Sequence, residues 1–530
     1  MVSKKLQIWL PLLFSLVMVM GMWIGFKLRE GTQGPVSFLK NNNNSGDIKE
    51  VLDLIKTRYV DVINTDSVKN AAINDLLSEL DPHSVFIPAK EVAIYNEDLQ
   101  GNFEGIGIEF QIFDDTLNVL NVIKDGPSDK AGIQVGDKFI KVNDTTKIAG
   151  SDVAISDIRN LLRGPGGSTV KVTLLRDGQI KNILIKRGVI PLPSVDVSYM
   201  IAQQTGFIRI SKFAETTYEE FMFALENLQK EGMQKLILDL RGNGGGYLNE
   251  AVDIADEFLN DRKLIVYTQG SKSPRAEYRC KRDGIFEQGK LVVLVDETSA
   301  SASEILSGAL QDWDRATIIG RRTFGKGLVQ QQFQLSDGAA VRLTVARYYT
   351  PLGRNIQKPY NKGKAQYEQE LIQRFHNGEV VVGDTTKPSG KAYKTPSGHL
   401  VYGGGGITPD IFVPFDTTAQ PKPVVELFYK GTLNNFVYHY YMDNKSELQS
   451  VKSPQQLEKI YHPGNNDWQQ LVDFAKRDSI YLDTVPAQAK QDVLEKLPAF
   501  LARQIWRTQG YFEVINPTDP MIEKALSVLK

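Results

Sequence analysis

Three observations predict a multi-domain α/β protein. Between residues 200 and 350, apolar runs such as GFIRIS, KLILDL and LVVLVD alternate with helical patterns such as YEEFMFALENLQKEG, LNEAVDIADEFLN and SEILSGALQDW. Strands read this way when helices cover both faces of their sheet. Short strands and turns crowd residues 100–188, and helical periodicity lies on either side, at 47–80 and 420–530. A length of 530 residues suggests about three or four domains. A hydrophobic content of 42% can fill several cores, and a net charge of −1 exerts no global pull on nucleic acid.

Residues 6–26, LQIWLPLLFSLVMVMGMWIGF, carry no charge, with Lys4 and Lys5 before them and Lys27 and Arg29 after. That length suffices to cross a bilayer as a helix. No clear small-x-small cleavage site follows. Residues 1–30 therefore read as an uncleaved anchor in the inner membrane, with the body on the periplasmic or other extracytoplasmic side. Residues 31–46 are polar and turn-rich, and read as a linker. Residues 47–90 read as a helical segment. Ile48, Val51, Leu52 and Ile55 share one face, as do Ala71, Ile73, Leu76, Leu77 and Leu80, before the turn Asp81-Pro82-His83-Ser84. His83 reads as structural or capping there. Residues 91–188 hold the strands GIGIEFQIF, TLNVLNVI, KFIKVN, STVKVTLLR and IKNILIKR, with the helix DVAISDIRNLLRG. Residues 189–416 form the α/β core, with a polar insertion at 357–400 and a return to strand in GGGGITPDIFVP. Residues 417–530 are helical and carry no chemical motif.

The single cysteine, Cys280, excludes an intrachain disulfide. Its setting, AEYRCKRDG, has no nucleophile signature and reads as surface or strand edge. Five scattered histidines show no ligand spacing, so neither a metal nor any other cofactor is implied. Ser301 falls at a strand-to-helix turn, where hydrolases expose a nucleophile. Ala300 and Ala302 beside it would leave room for substrate, and a helix start offers free N–H groups to an oxyanion. Locally, Ser301-Ala302-Ser303-Glu304 reads equally well as a capping box. Lys326 shifts that balance. A lysine buried enough to be neutral can act as a general base. Gly325 and Gly327 would keep side chains out of its path to the serine. Gln330 could orient the amine without holding it charged, as a carboxylate would. The spacing from Gly320 to Lys326 matches the P-loop, but Gly327 stands where the magnesium-binding Ser or Thr should be, and a strand follows. Asp239-Leu-Arg-Gly-Asn-Gly-Gly-Gly246 ends a buried strand, and its glycines can turn an N–H towards a reaction centre. Arg241 reads as a structural partner of Asp239 or Asp312.

The run GPSDKAGIQVGDKFIKVND resembles the heart of PDZ domains, and Gly105-Ile106-Gly107-Ile108 resembles their carboxylate-binding loop. A PDZ groove takes a peptide C-terminus as an added strand. LDPHSVF, the PDZ run, DLRGNGGG, SASASEILSGALQD, TFGKGLVQ, RYYTPLGRNIQ and GGGGITPDI together resemble the bacterial carboxyl-terminal processing proteases, also called tail-specific proteases, over residues 47–415. The resemblance implies a serine endopeptidase with a PDZ domain and a protease core of the tail-specific type. Ser301 would be its nucleophile, Lys326 its base and Gln330 the partner of that base. Ala302 and either Gly245 or Gly246 would be oxyanion donors, with Asp312 accessory. Gly244 departs from the proline usual in the family, which loosens the loop without removing an amide. Ile106, Gly107 and Ile108 would hold the substrate's terminal carboxylate. Arg163, closing the groove helix, is expected to link groove and protease site. The implied partners are proteins with free, apolar C-terminal tails, the membrane through the N-terminal helix, and a second copy through the C-terminal segment. The rival reading is a non-catalytic PDZ scaffold of the cell envelope.

Overall fold

A computed structural model describes residues 46–113, 115–148, 153–383, 390–416 and 420–530. The expected anchor at 6–26 lies outside them, as does all but the last residue of the expected linker. Among the described residues no helix is long and apolar enough to cross a membrane. The chain divides into two compact units, up to Ala72 and from Ile73 onwards. The first holds helix α1 (Gly46–Arg58) and the start of α2 (Thr65–Ser78). Of the apolar residues expected on one face of α1, Ile48 and Val51 are exposed and Leu52 and Ile55 half-buried; no residue of the helix is buried.

In the second unit, the turn at 81–84 leads into strand β1 (Val85–Ile87), an element the helical reading of 47–90 does not contain. Helix α3 (Ala89–Gln100) and strand β2 (Asn102–Gly105) follow. The small β domain is a six-stranded antiparallel sheet. Its strands are β3 (Ile108–Phe113), β4 (Thr116–Val122), β5 (Lys138–Val142), β6 (Thr146–Lys147), β7 (Thr169–Arg176) and β8 (Gln179–Lys186). Their order is β3-β4-β5-β7-β8, with β6 on β5. Strand geometry sends alternate residues inwards. Val170, Val172 and Leu174 of β7 thus meet Ile158 and Leu162 of helix α4 (Ile155–Leu162) in one core. Strand β9 (Gly188–Pro191) pairs with β2 and clasps the two ends of the domain.

The main core contains β10 (Val195–Ala202), β11 (Thr205–Ile210), α5 (Thr217–Lys230), β12 (Lys235–Asp239), α6 (Leu248–Asp256), β13 (Leu264–Gln269), β14 (Ala276–Arg279), β15 (Lys290–Val295), α7 (Ala302–Asp312), β16 (Thr317–Gly320), β17 (Leu328–Gln334) and β18 (Ala340–Tyr349). One sheet runs β10-β11-β12-β15-β16 and ends on Ile411–Phe412; only β10 is antiparallel to its neighbour. Leu236, Leu238 and Val293 face the layer of α5, α6 and α7. Ile237, Val292 and Leu294 face the other way. KLILDL therefore has no polar face. A second sheet runs β1-β18-β13-β14, with β17 also on β18.

The polar insertion at 357–400 is not a surface loop throughout. Its helix α8 (Lys364–His376) buries Tyr367 and Arg374. Arg374 donates to the carbonyls of Arg322, Thr323 and Phe324. Cys280 is buried, not on the surface; burial first and then Asp256 push its thiol up to about 12.

The C-terminal segment has a helical core of its own, including Leu427, Leu433, Leu471 and Leu497. Its long helix α9 (Ala487–Ile515) is broken at Trp506 and Arg507 by non-helical dihedrals. Beside the break, Arg507 pairs with Glu109 on β3, and Gln504 donates to Leu120 O at 3.0 Å. Helix α10 (Pro520–Leu529) then covers the second face of the main sheet with Met521, Ile522, Ala525 and Leu529. Asp519, its N-cap, pairs with Arg241 at 2.6 Å.

Arg241 pairs with Asp239 as well, at 2.8 Å. Asp312 instead holds Arg354 at 2.5 Å, with both side chains at 1% exposure or less. Removing one partner of such a pair strands a buried charge. Asp312→Ala is expected to cost about 3–5 kcal/mol. The check is urea unfolding, where the midpoint should fall with the slope unchanged.

Candidate active site

The residues between β15 and α7 fold into a tight turn because polar side chains take over its backbone bonds. Asp296 Oδ1 accepts the N–H groups of Thr298 and Ser299, both at 3.0 Å. Ser299 Oγ donates to Leu240 O at 2.9 Å. The chain then enters α7 through Ser301 with φ 56° and ψ −111°. A non-glycine residue held there costs on the order of 1–3 kcal/mol. This is the geometry by which a strand-to-helix turn presents a serine hydroxyl.

Glu304 makes that conformation persist. Its side chain is fully buried, and four donors converge on it. Oε2 accepts the N–H of Ser301 at 2.9 Å and of Lys326 at 2.8 Å. Oε1 accepts Thr323 Oγ1 at 2.5 Å and the N–H of Gly325 at 2.8 Å. Two donors on each oxygen fill the capacity of a carboxylate. Burial pushes this carboxyl up and the four donors pull it down; the net direction is up. The Glu304 arm of the capping box is thus present. The Glu304 N–H bonds to the backbone oxygen of Ser301, leaving the serine Oγ free of the cap. Tyr348 adds a second tie, its hydroxyl lying against Ser301 O at 3.1 Å and against Lys326 O.

Lys326 is held below the usual lysine range. Burial is the main cause, and the nearby Arg342 cation adds to it; Glu304 and Asp81 oppose. Its Nζ donates to Gln330 Oε1 at 3.0 Å. The Gln330 amide in turn donates through Nε2 to His83 O. Two local expectations change. A side chain on Gly325 would strike Lys358, Gly405 and Gly406, and one on Gly327 would meet Gln357 N at 2.9 Å. These glycines make room for passing backbone, not for a path to the serine. Ala300 and Ala302 are buried and pack inwards instead of lining open space.

The glycine loop after β12 packs on the serine. A Cβ on Gly245 would lie 2.7 Å from Ser301 Cβ and 3.0 Å from Ala302 N. The two candidate amides differ. Gly245 N–H donates to Asn243 Oδ1 at 2.8 Å. Around Gly246, the bridge to Phe213 uses Gly245 O and Tyr247 N, so it does not consume the Gly246 N–H. Asp312 sits at the far end of α7, ~16 Å along the helix axis at 1.5 Å per residue, and faces Arg354.

In the β domain, Gly107 has φ 74°, and a Cβ there would meet Ile190 at 2.9 Å. The domain uses the loop's carbonyls, Ile106 O for Ser128 N–H and Gly107 O for Ile123 N–H. Ile108 opens β3, an edge strand of its sheet. Arg163 caps α4, stacks on Phe103 at 4.6 Å and pairs with Glu97 of α3. The preceding residue of α3, Asn96, accepts a bond from Gln332 on β17 at 3.3 Å. Arg163 therefore reaches α3.

Sequence reasoning takes Glu304 for a cap only, His83 for a bystander, and says nothing of Asp81, Arg342 or Tyr348. LDPHSVF is legible as a motif, but no spacing along the chain reveals that it meets Gln330.

The pattern of peptidase family S41 matches residues 204–363, that of the PDZ domain residues 105–186, and that of a family of unknown function residues 424–507. A carboxy-terminal-processing protease of Bartonella bacilliformis is 34% identical over 343 residues, covering 63% of this chain and 78% of that protein. A probable CtpA-like serine protease of Staphylococcus haemolyticus is 35% identical over 330 residues, covering 61% of this chain and 66% of that one. Among solved structures, the photosystem II D1 C-terminal processing protease is 28% identical over 71% of this chain and 88% of that one, with a TM-score of 0.37. The family patterns and the curated relatives define a serine-type peptidase carrying a PDZ domain. The chain belongs to the carboxy-terminal-processing proteases. It is an enzyme, and the scaffold reading falls.

Glu304→Gln tests the four-donor arrangement. An amide offers one accepting oxygen, so two backbone or hydroxyl donors would face an NH2 group. The expected result is a loss of kcat between about tenfold and a hundredfold, with the far-UV circular dichroism unchanged.

Proposed function

We propose that peptide hydrolysis runs through an acyl-enzyme on Ser301, with Lys326 as the base. The observation that carries this reading is the pair of bonds at Lys326. Its backbone shares the Glu304 carboxylate with Ser301, while its amine donates to a neutral amide, Gln330. Neutral Lys326 takes the hydroxyl proton as Ser301 Oγ attacks the scissile carbonyl carbon. The resulting oxyanion accepts from Ala302 N–H and Gly246 N–H. Gly246 is preferred to Gly245 because the Gly245 N–H is already engaged by Asn243. Lys326 returns the proton to the leaving amine. It then takes one from water, which attacks the ester carbonyl; as the carbon–oxygen bond to Ser301 breaks, Lys326 gives that proton to Ser301 Oγ, and the product leaves with a new carboxyl terminus. Asp312 serves the core and not this chemistry.

The substrate is a protein with a free, apolar C-terminal tail, cleaved near that end. Its carboxylate sits on the amides at 106–108 and its last residues add to the free edge of β3. Arg163 couples that groove to the protease core through Glu97 and α3. The charge-free stretch at 6–26 anchors the chain and places its body outside the cytoplasm.

Turnover of a peptide with an apolar tail is the direct test. Ser301→Ala should lower kcat more than about a thousandfold; unchanged turnover would sink the reading. The pH profile supplies the second check. A base that works neutral gains activity as pH rises through its pKa, and here that pKa lies below the ordinary lysine value of about 10.4. Arg342 helps keep it low. Arg342→Gln should therefore move the acid limb of kcat to higher pH, and a limb that stays in place would contradict Lys326 as the titrating base.

A further inference from the structure

The turn before β1 reaches the active site through one peptide plane. Asp81 is buried, and its Oδ1 accepts the N–H of His83 at 2.8 Å and of Ser84 at 2.9 Å. Its Oδ2 accepts Ser84 Oγ at 2.6 Å. Ser84 Oγ in turn accepts Thr344 N–H on β18 at 3.2 Å. The Ser84 N–H and the His83 carbonyl belong to the same planar unit and point in opposite directions. With its N–H end fixed by Asp81, the carbonyl end is aimed at Gln330 Nε2. The pairing of β1 with β18, Val85 opposite Arg342, holds the turn against the sheet that carries Gln330 on β17. The His83 ring is pinned separately, by Tyr367 Oη at 2.8 Å.

This matters because a glutamine amide has two unlike ends. With Nε2 on the His83 carbonyl, only Oε1 can face Lys326. A neutral amine then donates one N–H to Gln330 and keeps its lone pair for the Ser301 proton. Were the amide reversed, its NH2 would donate to that lone pair and quench the base. We propose that Asp81 is a positioning residue of the active site, acting through the 83–84 peptide plane and Gln330 on Lys326. The inference rests on the Ser301–Lys326–Gln330 reading above.

The test is a double-mutant cycle on the full chain, with kcat and KM measured on a peptide with an apolar C-terminal tail. Asp81→Ala should lower kcat between about tenfold and a hundredfold and leave KM within about twofold. Asp81→Asn keeps an accepting oxygen for the two N–H groups and should restore most of that loss. It also guards against a fold that does not tolerate alanine. Asp81→Ala combined with Gln330→Ala should be no slower than Gln330→Ala alone, because both act at one step. Multiplicative losses, with Gln330→Ala itself impaired, would overturn the proposal and leave the Ser-Lys-Gln reading intact. Wild-type kcat in Gln330→Ala would overturn both.

Discussion

The buried carboxylate of Glu304 is the contact on which the site's geometry depends. It joins the start of α7 to the strand-entry loop of Lys326 through three backbone N–H groups and the Thr323 hydroxyl, so the spacing of the Ser301 and Lys326 backbones does not depend on long side chains finding each other. Backbone donors carry little conformational freedom. The bonds to Ser301 and Lys326 converge on one oxygen, which keeps both peptide groups within the span of a single acceptor. A carboxylate also tolerates burial when its lone pairs are all met. Here Thr323 and Gly325 meet those the reactive segments leave over.

The same carboxylate poses an electrostatic problem, since a negative charge nearby favours a protonated lysine. Geometry answers it. Glu304 accepts from the backbone N–H of Lys326, while the amine lies at the other end of a long side chain, against an amide. Burial and the Arg342 cation then outweigh the pull of Glu304 and Asp81, and the balance falls towards the neutral amine. The carboxylate meets the backbone of Lys326 and the amide meets its amine, so the two charges share a residue without sharing an ion pair.

What was legible in the sequence follows from which forces act along the chain. Strands buried on both faces and amphipathic helices leave periodic patterns, so KLILDL, SEILSGALQDW and the β-domain strands could be read directly. Ser301, Lys326 and Gln330 could be named as candidates because turn position and glycine neighbours are local features. β1 could not, because three residues have no period and gain their place from pairing with β18. The role of Glu304 was half visible: its cap to Ser301 is local, its bonds to Gly325 and Lys326 are not. The C-terminal segment offered no motif because its work is contact, at Glu109 on one side and Arg241 on the other. Contacts between distant segments leave no spacing to read.

Arg241 shows why such contacts bear on chemistry. It lies one residue before the loop that presents Gly245 and Gly246, and two carboxylates hold its guanidinium, Asp239 from the strand behind and Asp519 from the C-terminal segment. A loop of consecutive glycines has the greatest freedom a chain can have, and Gly244 adds to it. An oxyanion donor is useful only if it is already oriented when charge develops. The loop therefore needs its order imposed from outside. One end is fixed by Arg241 and the other by the bridge to Phe213. The middle is held by Asn243, whose side chain bonds Ile210 O and Gly245 N–H while its carbonyl accepts the N–H of Ala300, next to the serine. The flexibility that lets the glycines approach Ser301 is tolerable because each end of the loop is anchored to a different layer of the fold.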